Sequence, residues 1–247
     1  MKMLKIEEIK MAFNSIGVTS RDIIVLQSSY KGCGEIEKGP EGLIETLIDI
    51  LGDQGTLLMP TYNFEMWTQR GCFDIKETPS EVGVISEVFR KREDVGRTIH
   101  PIHSLAVWGK YKEEFESMRY CNSFGKDSIF SRLKKYNALY ITIGLGDKMP
   151  FLPCHYTENI MNVSYRKIKN FSGIYTHLDR VPKIKTYSFP VRLNDKNPVY
   201  GVHQSLVYQK EVNTYNKNNI LLCYARAKDY HDMFVNYIKK NSELFSL

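Results

Sequence analysis

ALYITIGLG, residues 138–146, carries the strongest strand pattern in the chain. Aromatic and β-branched residues fill it, and two glycines close it. Three other runs share its character. IIVLQ (23–27) is a compact apolar run, which reads as a buried strand. TLLMP (Thr56–Pro60) is a second, ended by proline, and LAVWG (Leu105–Gly109) is a third. Helical patterns lie between them. Leu4, Ile6, Ile9 and Phe13 fall near one face of a first helix over Ile6–Ser15. A helix over 42–51 is closed by Gly52 and Gly55, and others are expected over 112–119, 128–136, 155–163 and 229–240. Residues 183–206 are richer in β-formers. Early strand–helix alternation followed by a β-rich stretch predicts an α/β fold, with a mixed β-sheet flanked by helices in a single domain over 1–247.

Two segments refine that outline. Residues 61–77 are irregular and hold Tyr62, Phe64, Trp67 and Phe73. Loops this long are functional or disordered, and the aromatic content argues against disorder. After them comes Thr78-Pro79-Ser80-Glu81, the pattern of a helix start. Thr78 is the expected N-cap, Pro79 the first helical residue and Glu81 the capping-box partner of a helix running to about residue 92.

Composition narrows the class. The 247 residues are 43% hydrophobic and 25% charged, with 16 Tyr and 12 Phe, which is a folded globular protein and not a disordered one. No run of 18 apolar residues is present, and MKMLKIEEIKMAF lacks the apolar core of a leader, so neither membrane insertion nor export is expected. The five cysteines are scattered without a C-x-x-C pair. Free thiols in a reducing cytoplasm are the simplest account, and no metal site is expected. The net charge of +6 comes without a polybasic block. It fits either a slightly basic solvated surface or the handling of an anionic small molecule, and it gives no basic stripe for nucleic acid.

Four polar clusters stand at or near the ends of apolar runs, where open α/β sheets bind ligands. Ser28, Ser29, Lys31 and Gly32 can hold phosphate, or form a plain turn. The start at Thr78 and Ser80 can meet a pyrophosphate, or be an ordinary cap. His100, His103 and Ser104 surround Pro101, which breaks the regular helix that an i, i+3 metal pair needs. Hydrogen bonding to a cofactor or to backbone is the expected role there. Finally, His155 and Glu158 sit three apart on a helix and share a face. A carboxylate orients an imidazole and raises its basicity, as a general base requires; a satisfied structural histidine would look the same. Cys154 reads as buried, not as a nucleophile.

These segments in order resemble the aminoglycoside 3-N-acetyltransferase family. The matching pieces are SSYKGCG, GTLLMPTYNF, ETPSEVGVISEVFRK, GRTIHPIHSLAVWG, NSFGKDS, YITIGLGDKMPFLPCHYTEN, YRKIKNFSGIY and RAKDYHDMFVNYIKKNSELF, spanning nearly the whole chain. The resemblance implies direct acyl transfer from acetyl-CoA, or another acyl-CoA, to an amine, with His155 as the base. It implies that Ser28, Ser29, Thr78 and Ser80 form the coenzyme surface and that Thr61 donates its hydroxyl to the thioester. The family commonly has His before the paired serines, where this chain has Gln27.

The expected acceptor is a small-molecule amino sugar. Aminoglycosides are polycations, and this chain is net basic without visible acidic clusters. The charge therefore favours a nucleotide-linked amino sugar of surface-polysaccharide synthesis. The alternatives are an aminoglycoside 3-N-acetyltransferase conferring antibiotic resistance, a transferase of longer acyl chains, and a non-catalytic ligand-binding protein on the same fold. A homodimer is the assembly considered.

Overall fold

The computed structural model describes residues 3–146, 150–193 and 199–241. Elements follow in the order α1 (Ile6–Ser15), β1 (Ile23–Ser28), α2 (Tyr30–Cys33), α3 (Gly39–Leu51), β2 (Thr56–Pro60), α4 (Glu65–Thr68), β3 (Cys72–Asp74), α5 (Val84–Arg90), β4 (Gly96–Arg97), β5 (Leu105–Gly109), α6 (Lys112–Ser117), α7 (Ile129–Lys135), β6 (Leu139–Ile143), α8 (Cys154–Met161), β7 (Arg166–Thr176), β8 (Pro182–Arg192), α9 (Val199–Tyr208), β9 (Asn213–Lys217), β10 (Ile220–Arg226) and α10 (Ala227–Lys240).

Seven strands form one sheet in the order β4-β5-β2-β1-β6-β10-β9. Its centre is parallel, with β1 between β2 and β6, and the flanking pairs are antiparallel. The mixed α/β architecture expected from the alternation is present. β3, β7 and β8 form a second, three-stranded sheet.

Period-two alternation along the central strands sends side chains to two cores. Ile24, Leu26, Leu57, Met59, Ala106, Ile141 and Ile143 face α1, α3 and α5. Ile23, Val25, Leu58, Val107 and Tyr140 face α6, α7, α8, α10 and the second sheet. Both faces are covered, which is why these strands read as unbroken apolar runs. Each fully buried Leu, Ile or Phe contributes roughly 1.5–3 kcal/mol relative to exposure, so the two cores outweigh any surface ion pair.

Three sequence expectations are corrected. The Thr78–Glu81 segment does not start a helix; α5 begins at Val84, with Gly83 as its cap residue at φ 120°. Residues 61–77 contain α4 and β3. The stretch 183–206 is β8 only to Arg192, and α9 follows from Val199.

Parallel strands β1, β2 and β6 end at the same sheet edge, where antiparallel β5 begins. That edge gathers Ser28–Ser29, Thr61, His103–Ser104 and the turn at Gly144. Gly32 and Gly144 touch there: a Cβ on Gly32 would lie 1.7 Å from the Gly144 carbonyl oxygen. Glycine is required by this close approach, and the chain segments after β1 and β6 are pressed together.

Candidate active site

His155 lies in the first turn of α8, which the chain reaches from β6 through the turn at Gly144. Gln27, at the end of β1, holds the approach: its Oε1 accepts from the Leu152 N–H at 2.8 Å, and its Nε2 donates to the Pro150 carbonyl at 3.5 Å. Helical geometry then places His155 and Glu158 on one face, as the spacing predicts. His155 Nδ1 is 2.5 Å from Glu158 Oε2. The Glu158 side chain is fully buried, while that of His155 is 23% exposed. Nδ1 is therefore committed to the carboxylate. Nε2 is the ring nitrogen left to face a substrate, and no hydrogen bond engages it among the described residues.

Two residues that sequence reading missed complete the cluster. Tyr165 donates its hydroxyl to Glu158 Oε1. Arg166, the first residue of β7, puts Nε 2.9 Å from Glu158 Oε2 as an ion pair, Nη2 3.4 Å from His155 Nδ1, and Nη1 3.3 Å from the Pro190 carbonyl of β8. The buried carboxylate thus has three partners, which offset the cost of its desolvation. Only the motif piece YRKIKNFSGIY hinted at them.

Phe124 joins this cluster to the histidine pair upstream. Its ring lies 5.6 Å from that of His155 and 4.8 Å from that of His103. His100 and His103 do not form a ligand surface. His100 is fully buried; its Nδ1 accepts from the Ile102 and His103 N–H groups at 3.2 Å, and Nε2 faces the Ser188 carbonyl at 3.3 Å. An Nδ1 that accepts two bonds carries no proton. Burial pushes the His100 imidazole down to about 3 and His103 well below its usual range. His103 Nδ1 pairs with Ser123 Oγ at 2.8 Å, and Tyr62, Phe64 and Phe189 surround its ring. Both histidines are neutral, buried packing residues beside Phe124 and Ser123.

Thr61, Ser104 and Thr78, also expected to touch ligand, belong to an internal cage around Arg97. The Arg97 side chain donates from Nε to Thr61 Oγ1 and Ser104 Oγ at 3.2 and 3.0 Å, and from Nη2 to the Thr61 carbonyl at 2.7 Å. Its Nη1 reaches the Thr78 carbonyl at 2.5 Å. Thr61 and Ser104 are fully buried, and in this structure the Thr61 hydroxyl pairs with Arg97 and Ser104. Burial pulls Arg97 down to about 9, and the Phe73 ring lies 4.8 Å from its guanidinium carbon. Thr78 Oγ1 accepts from the Asp74 N–H, and Glu81 caps α4 by accepting from the Phe64 and Glu65 N–H groups. The local pattern matched a capping box, but the carboxylate caps a different helix.

The serine loop stays at the surface. Ser29 caps α2 by accepting from the Gly32 N–H at 3.1 Å, which removes Gly32 from the set of free phosphate-binding amides. Lys31 is exposed. The Ser28 hydroxyl is buried with no partner among the described residues. Beside it stands Gly83, exposed at the start of α5, where a Cβ would lie 3.5 Å from the Ser28 carbonyl oxygen. An orphaned hydroxyl beside exposed backbone suits a bound ligand group. Ser80 is half-buried; its Oγ accepts from the Val82 N–H, and its own N–H donates to Glu87. Among the described residues no cluster of three or more His, Cys, Asp or Glu is arranged to hold a metal, and no helix is long and apolar enough to cross a membrane.

Known proteins are similar to this chain in sequence and fold. A family model described as aminoglycoside 3-N-acetyltransferase matches residues 25–228. Aminoglycoside N(3)-acetyltransferase IV of Salmonella sp is 34% identical over 105 residues, covering 42% of this chain and 39% of that protein. An SPbeta prophage-derived aminoglycoside N(3')-acetyltransferase-like protein of Bacillus subtilis (strain 168) is 26% identical over 121 residues, covering 40% and 44%. The aligned segments thus span about two-fifths of these relatives. Among solved structures, AAC-VIa bound to sisomicin superposes with a TM-score of 0.85 at 17% identity, covering 97% of this chain and 99% of that one. AAC-IIIb in its binary complex with CoASH gives 0.82 at 15% identity, covering 99% and 98%. At such identities the likeness is one of fold.

Proposed function

The chain belongs to the aminoglycoside 3-N-acetyltransferase family, and we propose that it transfers an acetyl group from acetyl-CoA to a primary amine of an aminoglycoside, with His155 as general base. The net positive charge on its own favours a nucleotide-linked amino sugar. The names of the matched relatives and the sisomicin-bound neighbour favour the aminoglycoside instead.

The observation that carries this reading is the His155–Glu158 pair. A protonated amine is no nucleophile, so a base must take a proton at or before attack. Glu158 occupies Nδ1 and leaves Nε2 to accept that proton. Acetyl-CoA supplies the acetyl group as a thioester; amide formation at the carbonyl breaks the C–S bond and releases the free thiol. Ser28, Ser29 and Lys31 are the residues that would hold the coenzyme. The exposed Lys31, the half-buried Ser28 and Ser29, and the buried Ser28 hydroxyl with no partner among the described residues support that assignment. Thr61, Ser104 and the histidine pair would contribute indirectly, by fixing the buried structure behind His155.

A second reading keeps the nucleotide-linked amino sugar as acceptor. It is favoured by Arg166 and Lys167, which line the shallow pocket beside Glu158. Thiol release from acetyl-CoA against aminoglycosides and against nucleotide-linked amino sugars separates the two. Turnover with aminoglycosides is expected, together with a loss of about 10²–10⁴-fold in His155→Ala. Unchanged turnover in that variant would remove His155 as the base. No thiol release with any acceptor or acyl donor would favour a non-catalytic binding protein.

A further inference from the structure

We propose that Arg166 is a positioning residue that sets the pH range in which His155 works, by placing a permanent positive charge against the imidazole. The inference rests on the reading of His155 as the base.

A histidine paired with one buried carboxylate is driven toward its charged form, because the imidazolium is stabilised by the anion. A base trapped as imidazolium cannot accept a proton. Here the carboxylate is shared. Arg166 Nε lies 2.9 Å from the same Glu158 oxygen that His155 faces, and Arg166 Nη2 lies 3.4 Å from His155 Nδ1. The guanidinium is 10% exposed and Glu158 fully buried, so solvent does little to screen either. Arg166 already neutralises Glu158 before His155 takes a proton, and it repels the imidazolium when one forms.

The other groups around His155 do not supply that repulsion. Tyr165 donates to Glu158 Oε1 and carries no charge. His103, across the Phe124 ring, is held neutral by burial. The Cys154 thiol is buried and its ionisation pushed well up. Among the described residues, Glu158 and Arg166 are the charges within ion-pair or hydrogen-bond reach of His155. The position is also anchored away from the helix. Arg166 comes from β7 and its Nη1 donates to Pro190 of β8, so the second sheet delivers this charge to α8.

The test combines kcat/KM against pH with an NMR titration of the histidine Cε1–H signals. It compares the native protein with Arg166→Gln and Arg166→Lys, and the His155 signal is assigned from His155→Gln. In Arg166→Gln, the acid limb of kcat/KM and the His155 midpoint should both move up by about one pH unit or more. Arg166→Lys keeps the charge and should bring both back toward the native values. Equal loss of activity at every pH, with limb and midpoint unmoved, would overturn the proposal and leave Arg166 a structural residue. If Arg166→Gln does not fold, Arg166→Met carries the same comparison. The two readings fail separately. An acid limb that survives in His155→Gln defeats the base assignment, whereas the NMR midpoint judges Arg166 whatever the kinetics show.

Discussion

Acidification should unfold this protein through its buried histidines before its carboxylates respond. His100 is held neutral by two backbone N–H groups that donate to Nδ1, and burial takes it down to about 3. Burial takes His231 down to about 4 and His103 well below the usual range. In the unfolded chain each takes up a proton below about pH 6.5. The unfolded state then binds more protons than the folded one, so stability is complete above about pH 6.5 and falls as pH drops toward the folded values. Each histidine weakens the fold by up to ~1.4 kcal/mol per pH unit in that window. Three of them between pH 6.5 and 5 remove up to about 6 kcal/mol, a large part of the roughly 5–15 kcal/mol that a domain possesses. Glu87, lowered to about 2 by Arg90 and the Ser80 N–H against its own desolvation, acts in a lower window, because its contribution is lost only as pH falls below the ordinary carboxylate range. Urea unfolding at pH 7.5, 6.5, 5.5 and 5 measures the slope, and His100→Gln isolates one proton of it. The variant should be less stable at neutral pH but should show a slope shallower by ~1.4 kcal/mol per pH unit. A stability that stays flat from pH 7.5 to 5, or a slope unchanged in His100→Gln, would refute the assignment of neutral buried imidazoles.

Two other substitutions probe the sheet edge. Gly32→Ala forces a methyl group into the Gly144 carbonyl and should cost more than about 2 kcal/mol, read as a clear fall in melting temperature; a melt within a degree of native would contradict the contact. Ser28→Ala removes a buried hydroxyl that has no partner among the described residues, so stability should hold or rise by up to about 1 kcal/mol. The same variant should raise KM for acetyl-CoA, and an unchanged KM would take Ser28 out of the coenzyme surface.

The central sheet was largely legible because its strands are buried on both faces and leave unbroken apolar runs; Thr56–Pro60 and Leu105–Gly109 match their expected limits. β7 was not. Its eleven residues carry charges and exposed side chains that hide the period of two, although it pairs with β8 in a local antiparallel hairpin. The Thr-Pro-Ser-Glu pattern misled because a cap is recognised by local spacing, whereas Glu81 bonds across sixteen residues to α4. The His155–Glu158 pair was readable because three residues on a helix fix the geometry. Arg166 and Arg97 were not, since each serves partners that only the folded chain brings near. Thr61, Ser104 and the histidine pair were expected to meet thioester or cofactor, whereas in the structure their bonds turn inward.

Gln27 gives the sheet edge a property of its own. A primary amide is a side-chain replica of the peptide group, able to donate and accept in the same plane. By accepting from Leu152 and donating toward Pro150, Gln27 acts as an additional backbone unit that extends hydrogen bonding sideways from the end of β1. A carboxylate there could only accept, and a neutral imidazole would present its donor and acceptor at a different spacing. The stretch leading to the base is thereby stitched to the strand that carries the serine loop. A displacement of one is felt by the other through these two bonds.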